Sequence, residues 1–307
     1  MKKILLVVAV VIVCLTSSLA QVLETKNWCL SRCDIAGDER ENTELVHLQL
    51  KNDSIIAVTN LDSIKRIPLR IAIIQEDSIE VEIKELIVRR AINDLNKSFV
   101  ETNLVFYIER TDVILSELKL EDLSANLYEP YNQFSDKYDE SDVLSIYIFD
   151  HDEDFCNIQP NSISCGRTGG FSYILSNRTN NLVMSRFDLS DIKVFAHEMG
   201  HFWGLYHTFE ETLYGKDDFN KENCAIIGDR ICDTPPDPGS IFEVYVNYTT
   251  CELLNLKNDE GYDYKPLIEN YMSYYKPCYL RPYSFTPDQI KVMKVAATLP
   301  IRAKFIK

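Results

Sequence analysis

Residues 195–209 read Phe-Ala-His-Glu-Met-Gly-His-Phe-Trp-Gly-Leu-Tyr-His-Thr-Phe, and no other stretch restricts the fold as tightly. His197, Glu198, His201, Gly204 and His207 form the pattern H-E-x-x-H-x-x-G-x-x-H. On a helix, His197 and His201 are one turn apart, so both imidazoles leave the same face. Glu198 projects roughly 100° further round, within reach of a water at that face but not forced to ligate. Gly204 accepts a left-handed conformation at little cost, so the helix can stop and the chain can turn back. The turn brings His207 under the same point as a third ligand. Three neutral imidazoles and one open position suit a catalytic zinc ion. Three of the five histidines fall inside the pattern, which a buried helix with ordinary core histidines does not explain.

The chain has 307 residues, 46% of them hydrophobic, enough for a large core. It begins Met-Lys-Lys, runs apolar from Ile4 to Leu15, and reaches Ser18-Leu19-Ala20. That is the pattern of a secretory signal peptide over residues 1–20, and the expected product is secreted. The run is too short to span a bilayer, so no membrane association is expected after signal removal. Cleavage there leaves eight cysteines: Cys29, Cys33, Cys156, Cys165, Cys224, Cys232, Cys251 and Cys278. An even number in an exported chain suggests disulfides. Loss of Lys2 and Lys3 takes the net charge from -15 to -17. Such an acidic chain repels nucleic acid and anionic membranes; it suits basic substrates, calcium or simple solubility.

Residues 21–65 are polar and charged and read as an N-terminal extension or prosegment. Cys29 and Cys33 lie here, either as a local disulfide or with one thiolate plugging a zinc site. Lys65-Arg66 is either an activation cut or a charged pair at a strand entrance. Residues 66–307 read as one catalytic domain, with an upper lobe of about 66–207 and a lower lobe of about 208–307. Pro68 to Ile74 reads as a strand. Ile83, Ile87, Ala91, Leu95 and Phe99 mark one face of a helix over residues 79–99. Strands follow at Leu104–Ile108 and Val143–Phe149, the latter central because it is almost wholly apolar; residues 109–141 read as irregular. Cys156 and Cys165 bracket a short segment and are expected to pair. Tyr173–Leu175 and Leu182–Met184 are short strands, and an edge strand here can pair with an extended substrate. Asp188 or Ser190 is expected to cap the helix of His197. Thr286-Pro287-Asp288-Gln289 starts a last helix. The expected fold is α+β: a twisted mixed sheet with a backing helix and a site helix, then an irregular, disulfide-stapled lobe ending in a helix.

These motifs resemble the metzincin metallopeptidases and are most similar to the pappalysin family of ulilysin- and cytophagalysin-like enzymes. The likeness rests on His207-Thr208-Phe209, Cys232-Asp233-Thr234-Pro235, Asn270-Tyr271-Met272-Ser273-Tyr274, Cys278 and Phe285-Thr286-Pro287-Asp288-Gln289, with a fainter echo at Ile67-Pro68-Leu69-Arg70. It covers roughly residues 66–298. The resemblance implies one catalytic zinc held by His197, His201 and His207, with Glu198 as general base. It implies a structural role at the site for Gly204, an apolar floor at Met272, and transition-state stabilisation by Tyr274. It also implies disulfides pairing Cys224 with Cys251 and Cys232 with Cys278. Calcium is an open expectation, with Glu210, Glu211, Asp217, Asp218 and Asp229 as unassigned acidic candidates. The activity implied is zinc-dependent endopeptidase action on protein or peptide substrates by a monomer. The rival is a catalytically silent secreted binding protein on the same fold.

Overall fold

The computed structural model describes residues 46, 63–75, 83, 85–116, 128–149, 155–159, 162–166, 169–177, 179–210, 223–238, 246–247, 249–254, 257, 261, 263–275 and 282–307. Cys29, Cys33, Cys278, Glu211, Asp217, Asp218 and the signal-peptide segment lie outside these residues.

The chain is a mixed α/β structure centred on a five-stranded mixed sheet. Its strands are β1 (Lys65–Gln75), β2 (Leu104–Leu115), β3 (Leu144–Phe149), β6 (Gly170–Ser172) and β7 (Asn181–Ser185), in the order β2-β1-β3-β7-β6. Four strands run parallel; β6 closes the edge antiparallel to β7. β4 (Phe155–Gln159) and β5 (Ser162–Gly166) form a separate antiparallel ribbon. α1 (Glu85–Ser98), α2 (Tyr128–Tyr138) and α3 (Ile192–Phe202) intervene, and α4 (Pro287–Ala296) and α5 (Pro300–Ala303) close the chain.

The central strands are apolar on both faces because both faces are covered. Ile67, Leu69, Ile71, Ile146, Ile148, Leu182 and Met184 face one core with α1, α3 and α4. Ala72, Ile74, Tyr147, Phe149 and Val183 face the other, where Phe134 of α2 meets the Tyr147 ring edge-on at 4.8 Å.

Several expectations are corrected here. α1 starts at Glu85, and its buried stripe is Val88, Ala91, Ile92 and Leu95; Ile87 is exposed. A strict spacing of four drifts round a helix of 3.6 residues per turn, which explains the misplacement. Residues 109–141 are not wholly irregular. β2 continues to Leu115 as an edge strand with alternating burial, and α2 covers the second face. Its charged residues are paired: Arg70 contacts Asp112 at 2.6 Å, and Arg110 contacts both Asp112 and Glu140. The edge strand is Gly170–Ser172, not Tyr173–Leu175. Lys65 and Arg66 lie inside β1, aligned with Leu104 and Val105. They lie at the strand entrance, with Lys65 buried and Arg66 exposed.

The C-terminus clamps the site helix. Arg302 is completely buried; its Nε donates to the Phe202 carbonyl at 2.7 Å, at the end of α3, and its guanidinium lies 3.8 Å from the Phe202 ring centroid. A cation at a helix C-terminus complements the dipole. Arg302→Ala removes this charge-assisted bond and leaves a cavity, and is expected to destabilise the fold by about 3 kcal/mol or more. A shift below about 1 kcal/mol in urea denaturation would contradict the role.

Candidate metal centre

α3 begins at Asp191, whose carboxylate accepts from the Lys193 amide at 2.9 Å. The expected caps, Asp188 and Ser190, instead belong to the turns before it, where Asp191 N donates to Asp188 O. The helix carries His197, Glu198 and His201 on buried positions. It stops at Gly204, whose φ of +98° is the expected left-handed turn. A Cβ there would also approach the Leu175 side chain at 3.0 Å. The chain then doubles back and delivers His207.

The three imidazoles converge. His201 Nε2 lies 3.0 Å from His197 Nε2 and 3.1 Å from His207 Nε2. Every Nδ1 has an acceptor: Tyr271 O for His197 at 2.8 Å, Leu205 O for His201 at 2.7 Å, and Glu210 Oε2 for His207 at 3.3 Å. These bonds assign the proton to Nδ1 in each ring and leave three Nε2 lone pairs aimed at one point. Lone pairs so close repel unless a cation sits among them. Tetrahedral zinc with nitrogens at about 2.0–2.1 Å requires nitrogens about 3.3 Å apart, so the donor set fits. Burial, followed by the neighbouring histidines, holds His197 and His201 well below the usual imidazole range, so both stay neutral and able to ligate. Among the described residues this is the only group of at least three such side chains suited to a metal.

Glu198 stands beside the triad, and burial pushes its carboxyl up to about 8. The edge strand passes directly over it: a Cβ on Gly170 would come within 3.0 Å of Glu198 Cγ and 2.8 Å of Met184 Sδ. Met272 is fully buried beneath the helix, its Sδ 2.6 Å from where a Cβ on Gly200 would stand. The Tyr274 hydroxyl reaches His207 Nε2 at 2.9 Å, at the same vertex as the converging nitrogens. His197, His201, His207 and Tyr274 therefore meet, with Glu198 next to His197 on the helix, Gly204 at the turn before His207 and Met272 against Gly200.

Other residues that build the site carry weaker sequence signals. Asp237 is completely buried; it accepts from Thr208 Oγ1 at 2.6 Å and Tyr275 OH at 3.1 Å, tying the neighbour of His207 to the neighbour of Tyr274. It lies three residues beyond Thr234 of the Cys-Asp-Thr-Pro motif, the only hint of it in the chain. Lys193 crosses from the first turn of α3 to donate to the Tyr275 carbonyl, and its Nζ lies 5.0 Å from the Tyr283 ring centroid. Burial pushes its ammonium down to about 8, opposed by Asp191.

The disulfide expectation is corrected. Cys224 joins Cys232, Cα to Cα 5.1 Å, rather than Cys251 and Cys278 respectively. Turns bonded from Asn223 to Arg230, with Gly228 and Arg230 at φ +62°, fold the short segment back on itself. Cys251 is also disulfide-bonded. Cys156 and Cys165 are direct partners in the β4–β5 register. No acidic cluster for calcium forms among the described residues. Asp229 instead accepts from Ile231 N and Thr234 Oγ1, and Glu210 faces His207.

Residues 173–298 match the peptidase M43 family, described as pregnancy-associated plasma protein-A. A stretch of 104 residues is 35% identical to an extracellular metalloprotease of Arthroderma gypseum, covering 34% of this chain and 29% of that protein's length. Among solved structures, metalloproteinase-II from Bacteroides fragilis aligns at 17% identity and TM-score 0.31, over 57% of this chain and 63% of that one. A chain from a chaperone–substrate complex aligns at 13% identity and TM-score 0.36, over 80% of this chain and 39% of that one.

His207→Ala is expected to lower retained zinc from about one per chain toward zero after dialysis; unchanged metal content would contradict a three-histidine site. For Lys193, the folded pKa lies below the unfolded value. The unfolded chain therefore binds more protons between about pH 8 and 10.5, and stability rises with pH across that window. The stability of the wild type relative to Lys193→Met is expected to increase from pH 8 to 10.5; a flat or falling difference would contradict this.

Proposed function

We propose that this chain, which belongs to the pappalysin (M43) family of metallopeptidases, is a secreted zinc-dependent endopeptidase acting on protein or peptide substrates. The observation that carries this is the meeting of three Nε2 atoms beside a buried carboxyl and a tyrosine hydroxyl. The catalytic unit spans residues 66–307, preceded by the signal peptide over residues 1–20 and the extension over residues 21–65. It works as a monomer, without nucleic acid or membrane. Cys156 and Cys165 pair across their ribbon.

His197, His201 and His207 would hold a zinc ion, which when bound would acidify a water and polarise a carbonyl oxygen. Glu198 takes the proton from the attacking water and passes it to the leaving amine. The Tyr274 hydroxyl turns from His207 to donate to the carbonyl oxygen as negative charge develops there. Among the described residues β6 is the last strand of the sheet and lies beside Glu198, where an extended substrate backbone adds as a strand. Gly170 keeps that edge close.

A silent binding protein is disfavoured by Glu198 itself. It is buried with no hydrogen-bond partner among the described residues, and burial alone shifts its pKa. A carboxyl whose pKa burial raises, set beside three converging imidazoles, suits proton transfer rather than scaffolding.

With casein as an unfolded substrate, Glu198→Gln is expected to keep its zinc and lose about 10²- to 10⁴-fold in cleavage rate. Tyr274→Phe is expected to lose about 10²-fold, in kcat rather than KM. Cleavage near wild type in Glu198→Gln would overturn the mechanism.

A further inference from the structure

Lys193 lies one turn before His197 on α3, so its side chain leaves the same face as the first ligand. The two Cα positions are about 6 Å apart along the axis, less than two residues of an extended peptide. A substrate side chain next to the scissile bond is therefore within reach of the ammonium. That ammonium carries three N–H donors. One goes to the Tyr275 carbonyl, immediately after Tyr274, while the Tyr283 ring lies beneath the charge.

No carboxylate pairs with it among the described residues. The capping carboxylate of Asp191 is spent on the Lys193 backbone amide and acts on the ammonium only at longer range. Yet the chain holds 47 acidic against 32 basic residues. Its exposed Arg89, Lys97, Lys257 and Lys307 each contact a carboxylate. A cation kept from acidic partners, partly desolvated and one turn from the reacting centre, is suited to receive one from outside. Its charge already reaches the site, where it disfavours protonation of His197. Burial lowers its pKa, and Asp191 only partly opposes the shift.

We propose that Lys193 receives the carboxylate of an Asp or Glu side chain next to the scissile bond and makes the peptidase selective for an acidic residue there. This rests on the peptidase reading above. The chain's net charge of -15 favours basic substrates at long range, but such fields are screened within about 8 Å at physiological salt. A direct, partly buried pair decides selectivity at contact.

The zinc-loaded full chain is assayed on peptide pairs that differ only by Glu or Gln at each of the two positions flanking the scissile bond. At one position the Glu peptide is expected to win by about tenfold or more in kcat/KM. Lys193→Met brings that ratio to about one, and Lys193→Arg keeps it above one. Equal rates on the Glu and Gln peptides, or a preference unchanged in Lys193→Met, would overturn the proposal and leave the peptidase reading intact. If the wild-type chain cleaves neither peptides nor unfolded casein with zinc bound, the peptidase reading falls and this proposal falls with it.

Discussion

The geometry of the centre depends on what the three Nδ1–H groups donate to. Each bond fixes one tautomer and one ring orientation, and only together do they point three Nε2 atoms at one place. Two of the acceptors are backbone carbonyls, Tyr271 O and Leu205 O. The motif is therefore only half of the site; the other half is the path of the main chain around it. Leu205 N in turn donates to Gly200 O, closing the turn that Gly204 allows.

The Tyr271 carbonyl is held by a buried polar chain that reaches the last helices. Asn270 bonds the Met272 amide and exchanges bonds with Gln289, whose Oε1 also accepts from Thr286 N in the capping box of α4. Asp233 completes that cap through Thr286 Oγ1 at 2.7 Å and Asp288 N at 2.9 Å. The Cys-Asp-Thr-Pro, Asn-Tyr-Met-Ser-Tyr and Thr-Pro-Asp-Gln motifs are thus one bonded assembly, although 50 or so residues separate the first from the last. Asp237 and Arg302 add two further ties, to the third ligand and to the end of α3. Satisfied networks of this kind impose a unique packing, since each buried polar atom is costly to leave unpaired.

Sequence and structure agree where local chemistry suffices. The triad, the Gly204 turn and the capping box at Thr286 each follow from a few adjacent residues, and each was legible. The Asp191 cap was not, because Asp188, Ser190 and Asp191 are all good caps and only the turn before the helix chooses among them. α2 was missed because its buried face rests on few apolar residues, with Phe134 covering the sheet. The disulfides were assigned by likeness, whereas the short turn-rich loop from Cys224 to Cys232 places its own ends together. Lys193 and Asp237 look like ordinary surface charges in the chain. Only the packing of distant segments shows one reaching the Tyr275 carbonyl and the other wholly enclosed.

Zinc-edge X-ray absorption on the purified chain tests the central claim most directly, because it counts the ligands that three histidines leave open. Three imidazole nitrogens and one light oxygen at about 2.0–2.1 Å are expected. A sulfur ligand at about 2.3 Å, or an absence of imidazole scattering, would contradict an open three-histidine centre.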